Sequence, residues 1–139
     1  MKRVMGIDYG DARTGVALSD LMCSIVGSSQ VIPSRNRQKA IGDIVRIAKE
    51  NDVGEIVVGL PKNMDGTEGF RAEATYEFAD KLRKVYDGKI EFVDERLTTM
   101  GAAQFLNATN TRGQKRKDVI DTVSAGLILE NYMRRKNNG

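Results

Sequence analysis

The sequence predicts one α/β domain, residues 1–139, built on a mixed five-stranded sheet with helices on both faces. A chain of this length can bury most of its apolar surface around a single core. Its first third contains short apolar segments joined by turns, which favours antiparallel strands. The remainder alternates helical and extended segments, and such alternation is typical of parallel strands joined by crossover helices.

Three strands are expected at the start of the chain. Residues 2–8 and 14–19 are short apolar segments separated by a turn that contains Gly10, and this pattern predicts a hairpin. A third extended segment is expected near residues 30–32, because Pro33 then stops it. Strands connected by such short turns run antiparallel to one another.

Helices and strands alternate in the middle of the chain. Apolar side chains recur at helical spacing in residues 37–51 and 71–86, so each segment is expected to be a helix with one buried face. Residues 55–60 form a continuous apolar run, as in a central strand that is covered on both faces. Residues 89–93 supply the fifth strand.

Two helices are expected at the end of the chain. Thr98 or Thr99 can cap a helix that runs to about residue 106. Residues 107–117 are polar and basic and predict an exposed loop, whereas residues 118–135 predict a last amphipathic helix. A strand meander followed by crossover units is the ribonuclease H-like arrangement, which is also the core of the actin and sugar-kinase ATPases.

Composition excludes several kinds of chemistry. The chain has no histidine, so His-dependent triads, His-ligated zinc and His general bases are excluded. A net charge of +3 and a pI of about 9.1 permit nucleic acid as a partner without requiring it. The single Cys23 cannot form an internal disulfide, and no signal-peptide core or membrane span is evident. We therefore expect a cytoplasmic protein with no membrane partner.

Four acidic residues are candidates for a metal site. Asp8 and Glu95 each follow a predicted strand at its carboxyl end, and parallel strands would bring both to one edge of the sheet. Asp118 and Asp121 are three residues apart in the first turn of the last helix. Three clustered carboxylates repel one another unless cations such as Mg²⁺ or Mn²⁺ neutralise them. Two such ions would support phosphodiester hydrolysis without histidine.

Each acid also has a structural alternative. Asp8 can close its turn, Glu95 can pair with Arg96 or a helix start, and Asp118 and Asp121 can favour the start of their helix. In this topology the strand 55–60 should separate Asp8 from Glu95 by two strand spacings, roughly 10 Å at the backbone. Glu95 must therefore reach inward.

Should Glu95 not reach inward, Asp65 or Asp11 is the candidate substitute.

Basic and amide side chains near this edge are candidates for binding phosphate. In the loop 59–67 these side chains can contact a phosphate or simply belong to a tight Pro/Gly turn. The basic run 112–117 can clamp a nucleic-acid backbone or be a solvated loop. The candidate substrate-binding residues are Arg13, Lys62, Asn63, Arg96, Lys115, Arg116 and Lys117.

Four sequence blocks resemble the YqgF-type family. They are Gly6–Gly10 followed by Arg13, Gly15 and Asp20; Val58–Thr67; Asp94–Thr99; and Ile120–Asp121 followed by Ser124 and Ala125. Together the blocks span nearly the whole chain. The resemblance implies a ribonuclease H-like fold, a divalent metal, and catalytic acids corresponding to Asp8, Glu95 and Asp121. Asp118 leaves open which of the two neighbouring acids ligates metal, or whether both do.

The resemblance also implies a function. Members of this family are described as Holliday junction resolvases and as nucleases that trim the precursor of 16S ribosomal RNA. We expect a metal-dependent nuclease that processes the 5′ end of that precursor, with junction resolution as the alternative. A symmetric junction would require a homodimer, whereas a monomer suffices for trimming. A non-catalytic nucleic-acid-binding module and an ATP-binding enzyme are the other hypotheses.

Overall fold

The computed structural model describes residues 2–63, 65–95 and 113–138, with side chains in the last range from Val123 to Asn137. In chain order the elements are β1 (Arg3–Asp8), β2 (Arg13–Ser19), β3 (Val26–Pro33), α1 (Arg37–Glu50), β4 (Val53–Leu60), α2 (Phe70–Arg83), β5 (Lys89–Asp94) and α3 (Gly113–Asn138). The five strands and the helices α1 and α2 confirm the predicted order. The helix predicted from Thr98 or Thr99 lies outside the described residues.

The prediction of a loop over residues 107–117 is wrong for its last five residues, because α3 begins at Gly113. Polarity was the basis for expecting a loop there. However, Gln114 and the basic residues Lys115, Arg116 and Lys117 have long unbranched side chains, which lose little rotamer freedom in a helix. The same residues that indicated a loop are therefore good helix formers.

The five strands form one sheet in the order β3-β2-β1-β4-β5. β2 is antiparallel to both β1 and β3, whereas β1, β4 and β5 are parallel. Ile7 pairs with Val58, and Leu60 pairs with Asp94, so the three parallel strands end at the same level. We call this the carboxyl edge of the sheet; β1, β4 and β5 end there at Asp8, Leu60 and Asp94.

Each face of the sheet carries its own core, because alternate residues of a strand point to opposite faces. One core joins β1 and β4, through Met5, Ile7, Ile56 and Val58, to buried residues of α1 and α2. The other joins the sheet to α3. Its members are Val4, Ala17, Val57, Val93, Ala125, Ile128, Leu129, Tyr132 and Met133. Helices on both faces confirm the predicted architecture.

Helix α3 packs closely on the sheet and runs antiparallel to β4. A Cβ atom on Gly6 would come within 2.8 Å of the Ala125 carbonyl oxygen, so only glycine permits this approach. Ile128 lies over Gly59 near the carboxyl end of β4. At the other end of that strand, the Tyr132 hydroxyl donates to Glu55 Oε2 at 2.5 Å. The N-terminal turns of α3 consequently lie at the carboxyl edge.

Glu55 is a buried carboxylate that ties α3 to the sheet. Besides Tyr132, Lys136 donates to it at 3.0 Å and Lys89 pairs with it at 3.6 Å. Burial alone would raise the pKa of Glu55, but the hydrogen bonds from Tyr132 and Lys136 and the two lysine charges outweigh it and hold the pKa below its ordinary value. No helix in the described part of the chain is long and apolar enough to cross a membrane.

Candidate active site

Asp8 and Glu95 lie at the same edge of the sheet, as the sequence predicts. Asp8 is the last residue of β1, and Glu95 directly follows the last residue of β5. Strand β4 runs between them, which also agrees with the expected topology. The main-chain N–H of Glu95 donates to the carbonyl of Leu60 at 3.1 Å, so the backbone stays attached to β4 one residue beyond the end of β5.

The side chain of Glu95 leans inward across β4. Its carboxyl carbon lies 3.2 Å from the point that a Cβ atom on Gly59 would occupy. Glu95 is only 9% exposed. Because the carboxyl group already stands over β4, it has covered one of the two strand spacings that separate β5 from β1, and about 4.8 Å remains to the axis of β1.

Asp8 projects from the same face of the sheet as Glu95. Val4 belongs to the core beneath α3, and Asp8 is four residues further along the same strand, so alternation places both on that face. Val93 belongs to the same core and precedes Glu95 by two residues. The two acids therefore face the helix α3. Neither Asp65 nor Asp11 is needed as a substitute.

The turn that follows Asp8 is held in one shape. Gly10 is required there, because a Cβ atom would come within 2.4 Å of the Arg13 carbonyl oxygen. The Ser34 hydroxyl donates to the Gly10 carbonyl at 2.5 Å, and Thr14 Oγ1 accepts from the Gly10 N–H at 3.4 Å. Arg13, a candidate substrate ligand, is half-buried at the start of β2 just beyond this turn.

The backbone of α3 brings Asp121 to the level of Asp8. Gly6 contacts Ala125, and one helical turn back to residue 121 advances about 6 Å toward the carboxyl edge. From Gly6 to Asp8 the strand advances roughly 6.6 Å in the same direction. Residues 118, 121 and 125 share one helical face, and position 118 lies about 4.5 Å further out along the axis.

The side chains of Asp118 and Asp121 are outside the described set. Within the described side chains, no group of three acids or cysteines surrounds a single point. The structure therefore places Asp8 and Glu95 on one face at the carboxyl edge, and the start of α3 carries Asp118 and Asp121 toward the same edge.

The loop after β4 is held by bonds within itself. The Asn63 side-chain amide donates to Thr67 Oγ1 at 2.9 Å, and the Asn63 N–H donates to the Thr67 carbonyl at 2.8 Å. Asp65 Oδ1 accepts from the N–H and the hydroxyl of Thr67 at 3.0 and 2.6 Å. Gly66 has a φ of 91°, which favours glycine. These contacts support the tight-turn alternative for the Asn63 amide nitrogen, while Lys62 is half-buried beside it.

The remaining basic candidates divide into two groups. Arg96 lies outside the described residues. Lys115, Arg116 and Lys117 lie in the first turns of α3 rather than in a loop, and their side chains are not described. The role of Gly59 is not among the sequence-based predictions. The available signal was a glycine inside an otherwise β-branched strand, which often marks a close approach by another group.

Fold and site define an α/β domain of the ribonuclease H-like class. The structure of Thermus thermophilus RuvC in complex with a Holliday junction substrate matches over 100% of this chain and 98% of the RuvC chain, with a TM-score of 0.63 and 8% sequence identity. The Fowlpox virus resolvase, solved with Holliday junction DNA, matches over 96% of this chain and 98% of the resolvase chain, with a TM-score of 0.58 and 11% sequence identity. These likenesses confirm the fold.

The chain belongs to the RuvX family, which is described as Holliday junction resolvase and matches residues 2–135. A relative from Halothermothrix orenii is 42% identical over 135 residues, covering 97% of this chain and 96% of its own. One from Clostridioides difficile is 40% identical over 136 residues, covering 98% and 96%. Both carry the name "Putative pre-16S rRNA nuclease". The family resemblance found in the sequence motifs is confirmed.

Proposed function

We propose that this protein is a divalent-metal-dependent nuclease that hydrolyses phosphodiester bonds in structured nucleic acid and processes the 5′ end of the 16S ribosomal RNA precursor. Membership of a nuclease family supports the reaction class. Relatives that are about 40% identical over almost the full length, and that carry the name of a pre-16S rRNA nuclease, support the substrate. The same membership favours a nuclease over an ATP-binding enzyme. A ribosome-assembly substrate would place the protein in the cytoplasm.

The inward position of Glu95 is the observation that carries the proposal. Its carboxyl group lies over the backbone of β4, on the side toward β1 and Asp8. Gly59 provides the space that a Cβ atom would fill, and the carboxyl group uses it. Asp8 faces the same side of the sheet one strand further on. A cation shared by the two acids would offset the repulsion between their like charges.

The residues at this edge fit a hard divalent cation. Carboxylate oxygens are the ligands that Mg²⁺ and Mn²⁺ prefer, and we assign Asp8, Glu95 and Asp121 to the cation, with Asp118 as a further ligand. When bound, the cation supplies Lewis acidity to a phosphate oxygen and lowers the pKa of water. Since the chain has no histidine, the proton released in hydrolysis must pass to a carboxylate or to solvent.

Binding of the substrate is assigned to basic groups around this edge. They are Arg13, Lys62, Arg96, Lys115, Arg116 and Lys117, whereas the Asn63 amide belongs to the turn that it closes with Thr67. Cationic side chains that contact phosphates give affinity and register without reading sequence. The modest net charge of +3 agrees with recognition of backbone and shape.

Resolution of four-way DNA junctions is the second candidate, and the description of the RuvX family favours it. A junction has two symmetric strands to cut, so this activity requires a homodimer that presents two sites. Trimming of a precursor RNA requires one site only. The oligomeric state in the presence of each substrate therefore separates the two functions.

A parallel cleavage assay tests the proposal. Purified protein is given a precursor 16S rRNA fragment and a four-way DNA junction, each with Mg²⁺, with Mn²⁺ and with a chelator. We expect metal-dependent cleavage of the RNA, lost in Asp8→Asn. Cleavage of the junction alone would establish the second candidate. Cleavage that persists in the chelator and in Asp8→Asn would refute a metal-dependent site, and rescue of a depleted strain by Asp8→Asn would favour a non-catalytic module.

A further inference from the structure

Phe70 is an aromatic side chain that the fold leaves in solvent. It is the first residue of α2, and 78% of it is exposed. Phe78, two turns later in the same helix, is fully buried. An exposed phenylalanine forgoes most of the free energy of burial, so it contributes little to the stability of the domain. Packing in the core therefore does not explain why an aromatic residue occupies this position.

The exposed ring borders a small cavity at the carboxyl edge, on the face of the sheet that α2 covers and opposite the face of Asp8 and Glu95. The cavity has a volume of about 110 Å³ and lies between the turn after β1 and the start of α2. It is lined by Tyr9, Gly10, Asp11, Phe70, Arg71, Ala74 and Thr75. Tyr9 directly follows Asp8, so Phe70 lies across one small cavity from the residue after the proposed metal ligand.

The wall opposite Phe70 is fixed in place. The Tyr9 ring stacks on the buried Phe78 with the ring centres 4.3 Å apart and the planes 13° apart. Gly10 is held by Ser34 and Thr14. A flat group that enters the cavity would therefore meet a rigid turn on one side and the face or edge of an exposed aromatic ring on the other.

We propose that Phe70 stacks on one unpaired nucleobase of the substrate and holds it in this cavity, at the carboxyl edge but on the α2 side of the sheet. The inference rests on the proposed nuclease function. Asp11 is exposed at the cavity and repels a phosphate, but its carboxylate can accept a hydrogen bond from the exocyclic amino group of a base. Arg71 is also exposed there and can meet the phosphate attached to that nucleotide.

The competing occupant is an apolar side chain of a protein partner. The two differ in what they require of residue 70. Stacking on a base requires a π face, and is sequence-tolerant because every base has one. A protein contact requires apolar surface, which leucine supplies as well as phenylalanine. Phe70→Leu therefore separates the two occupants, because leucine loses a stacked base but retains an apolar protein contact, whereas Phe70→Trp retains both.

A fluorescence titration tests the inference. The chain has no tryptophan, so Phe70→Trp introduces a single indole as a reporter. The titration is done in an Asp8→Asn background, so that the strand is not cut, with a single-stranded oligonucleotide and with copies that carry an abasic site at successive positions. We expect quenching of the indole on binding, and loss of quenching when one particular base is removed.

Affinity measurements complete the test. Phe70→Ala and Phe70→Leu should weaken binding by about 5- to 150-fold, the range that stacking of one base covers, while Phe70→Tyr retains it. Val85→Ala is the matched control, because Val85 is 55% exposed two residues beyond the end of α2 and should change nothing.

Equal binding by the wild type and Phe70→Ala, or full retention by Phe70→Leu, overturns the base subsite. If the wild type still cleaves, the proposed function survives that result. A wild type that neither binds nor cleaves nucleic acid overturns both.

Discussion

The carboxyl carbon of Glu95 stands 3.2 Å from the position that a Cβ atom of residue 59 would take, and Gly59 is the residue that keeps that position empty. The same missing side chain also seats α3, because the Cβ atom would come within 2.4 Å of Ile128 Cδ1. Because Gly59 has only a hydrogen atom as its side chain, both the Glu95 carboxylate and helix α3 can approach β4 closely at this residue. The carboxyl edge is assembled around it.

Gly59→Ala is therefore expected to damage the site more than the fold. The end of the Ile128 side chain can move, at a cost of about 1 to 3 kcal/mol in the free energy of unfolding. Glu95 must also give way by a few tenths of an ångström. Because a displacement of about 1 Å at a catalytic group can lower the rate by about 100-fold, we expect a smaller but measurable loss of rate. Cleavage rates and urea unfolding of the same preparation measure the two effects separately.

Gly42→Ala is the matched control for that substitution. Gly42 lies inside α1, and a Cβ atom there would meet nothing within 4 Å. Alanine should stabilise this helix by about 0.5 to 1 kcal/mol and leave cleavage unchanged. If Gly59→Ala cleaves as fast as Gly42→Ala, then the position of Glu95 does not matter for the reaction, and the active-site assignment is wrong.

Much of this arrangement could be predicted from the sequence, since it depends on local patterns. Apolar runs and turns gave the strand ends, so Asp8 and Glu95 were placed at one edge with β4 between them. The sequence could say only that Glu95 must reach inward to share a site with Asp8. Whether it does so depends on its side-chain conformation and on the space above Gly59. The start of α3 was missed because basic composition is shared by loops and by exposed helical turns. Phe70 carried no sequence signal, because helical periodicity does not reveal an exposed first residue.

Asp8→Asn and Glu95→Gln should each abolish metal-dependent cleavage with little effect on folding. Both substitutions keep the shape of the side chain and remove one anionic ligand. We expect losses of more than about 100-fold, beyond the 10- to 100-fold typical of groups that only support a ligand. Calorimetric titration with Mn²⁺ should show weakened binding in both variants. Unchanged Mn²⁺ affinity together with lost activity would mean that these acids act without holding the cation.

Asp121→Asn should impair cleavage more than Asp118→Asn does. Position 121 is level with Asp8 along the direction of the strands, whereas position 118 lies about 4.5 Å further out from the sheet edge. Both substitutions remove one charge near the start of α3, so any effect on helix stability should be similar. The comparison needs only cleavage rates and thermal melts of the two variants. Equal losses would indicate that both acids ligate metal. A larger loss in Asp118→Asn would contradict the inference that residue 121, level with Asp8, is the metal ligand.

Tyr132→Phe tests the anchor at the opposite end of α3. The substitution keeps the buried ring but leaves Glu55 with one hydrogen-bond donor fewer. At neutral pH the free energy of unfolding should fall by about 1 to 3 kcal/mol. Tyr76→Phe is the control, because the Tyr76 hydroxyl donates at 3.0 Å to the exposed Glu68, and its loss should have no measurable effect. Urea unfolding of both variants gives the comparison.

The deficit of Tyr132→Phe should shrink in acid. The pKa of Glu55 in the folded protein lies below its ordinary value of 4.5. A lowered pKa means that the ionised carboxylate contributes stability above pH 4.5, and that this contribution is lost as the pH falls through the folded pKa. Once Glu55 is protonated, its bond from Tyr132 is no longer charge-assisted, so the wild type and the variant should converge. A deficit that is constant across this range would show that the hydroxyl acts through packing rather than through the Glu55 carboxylate.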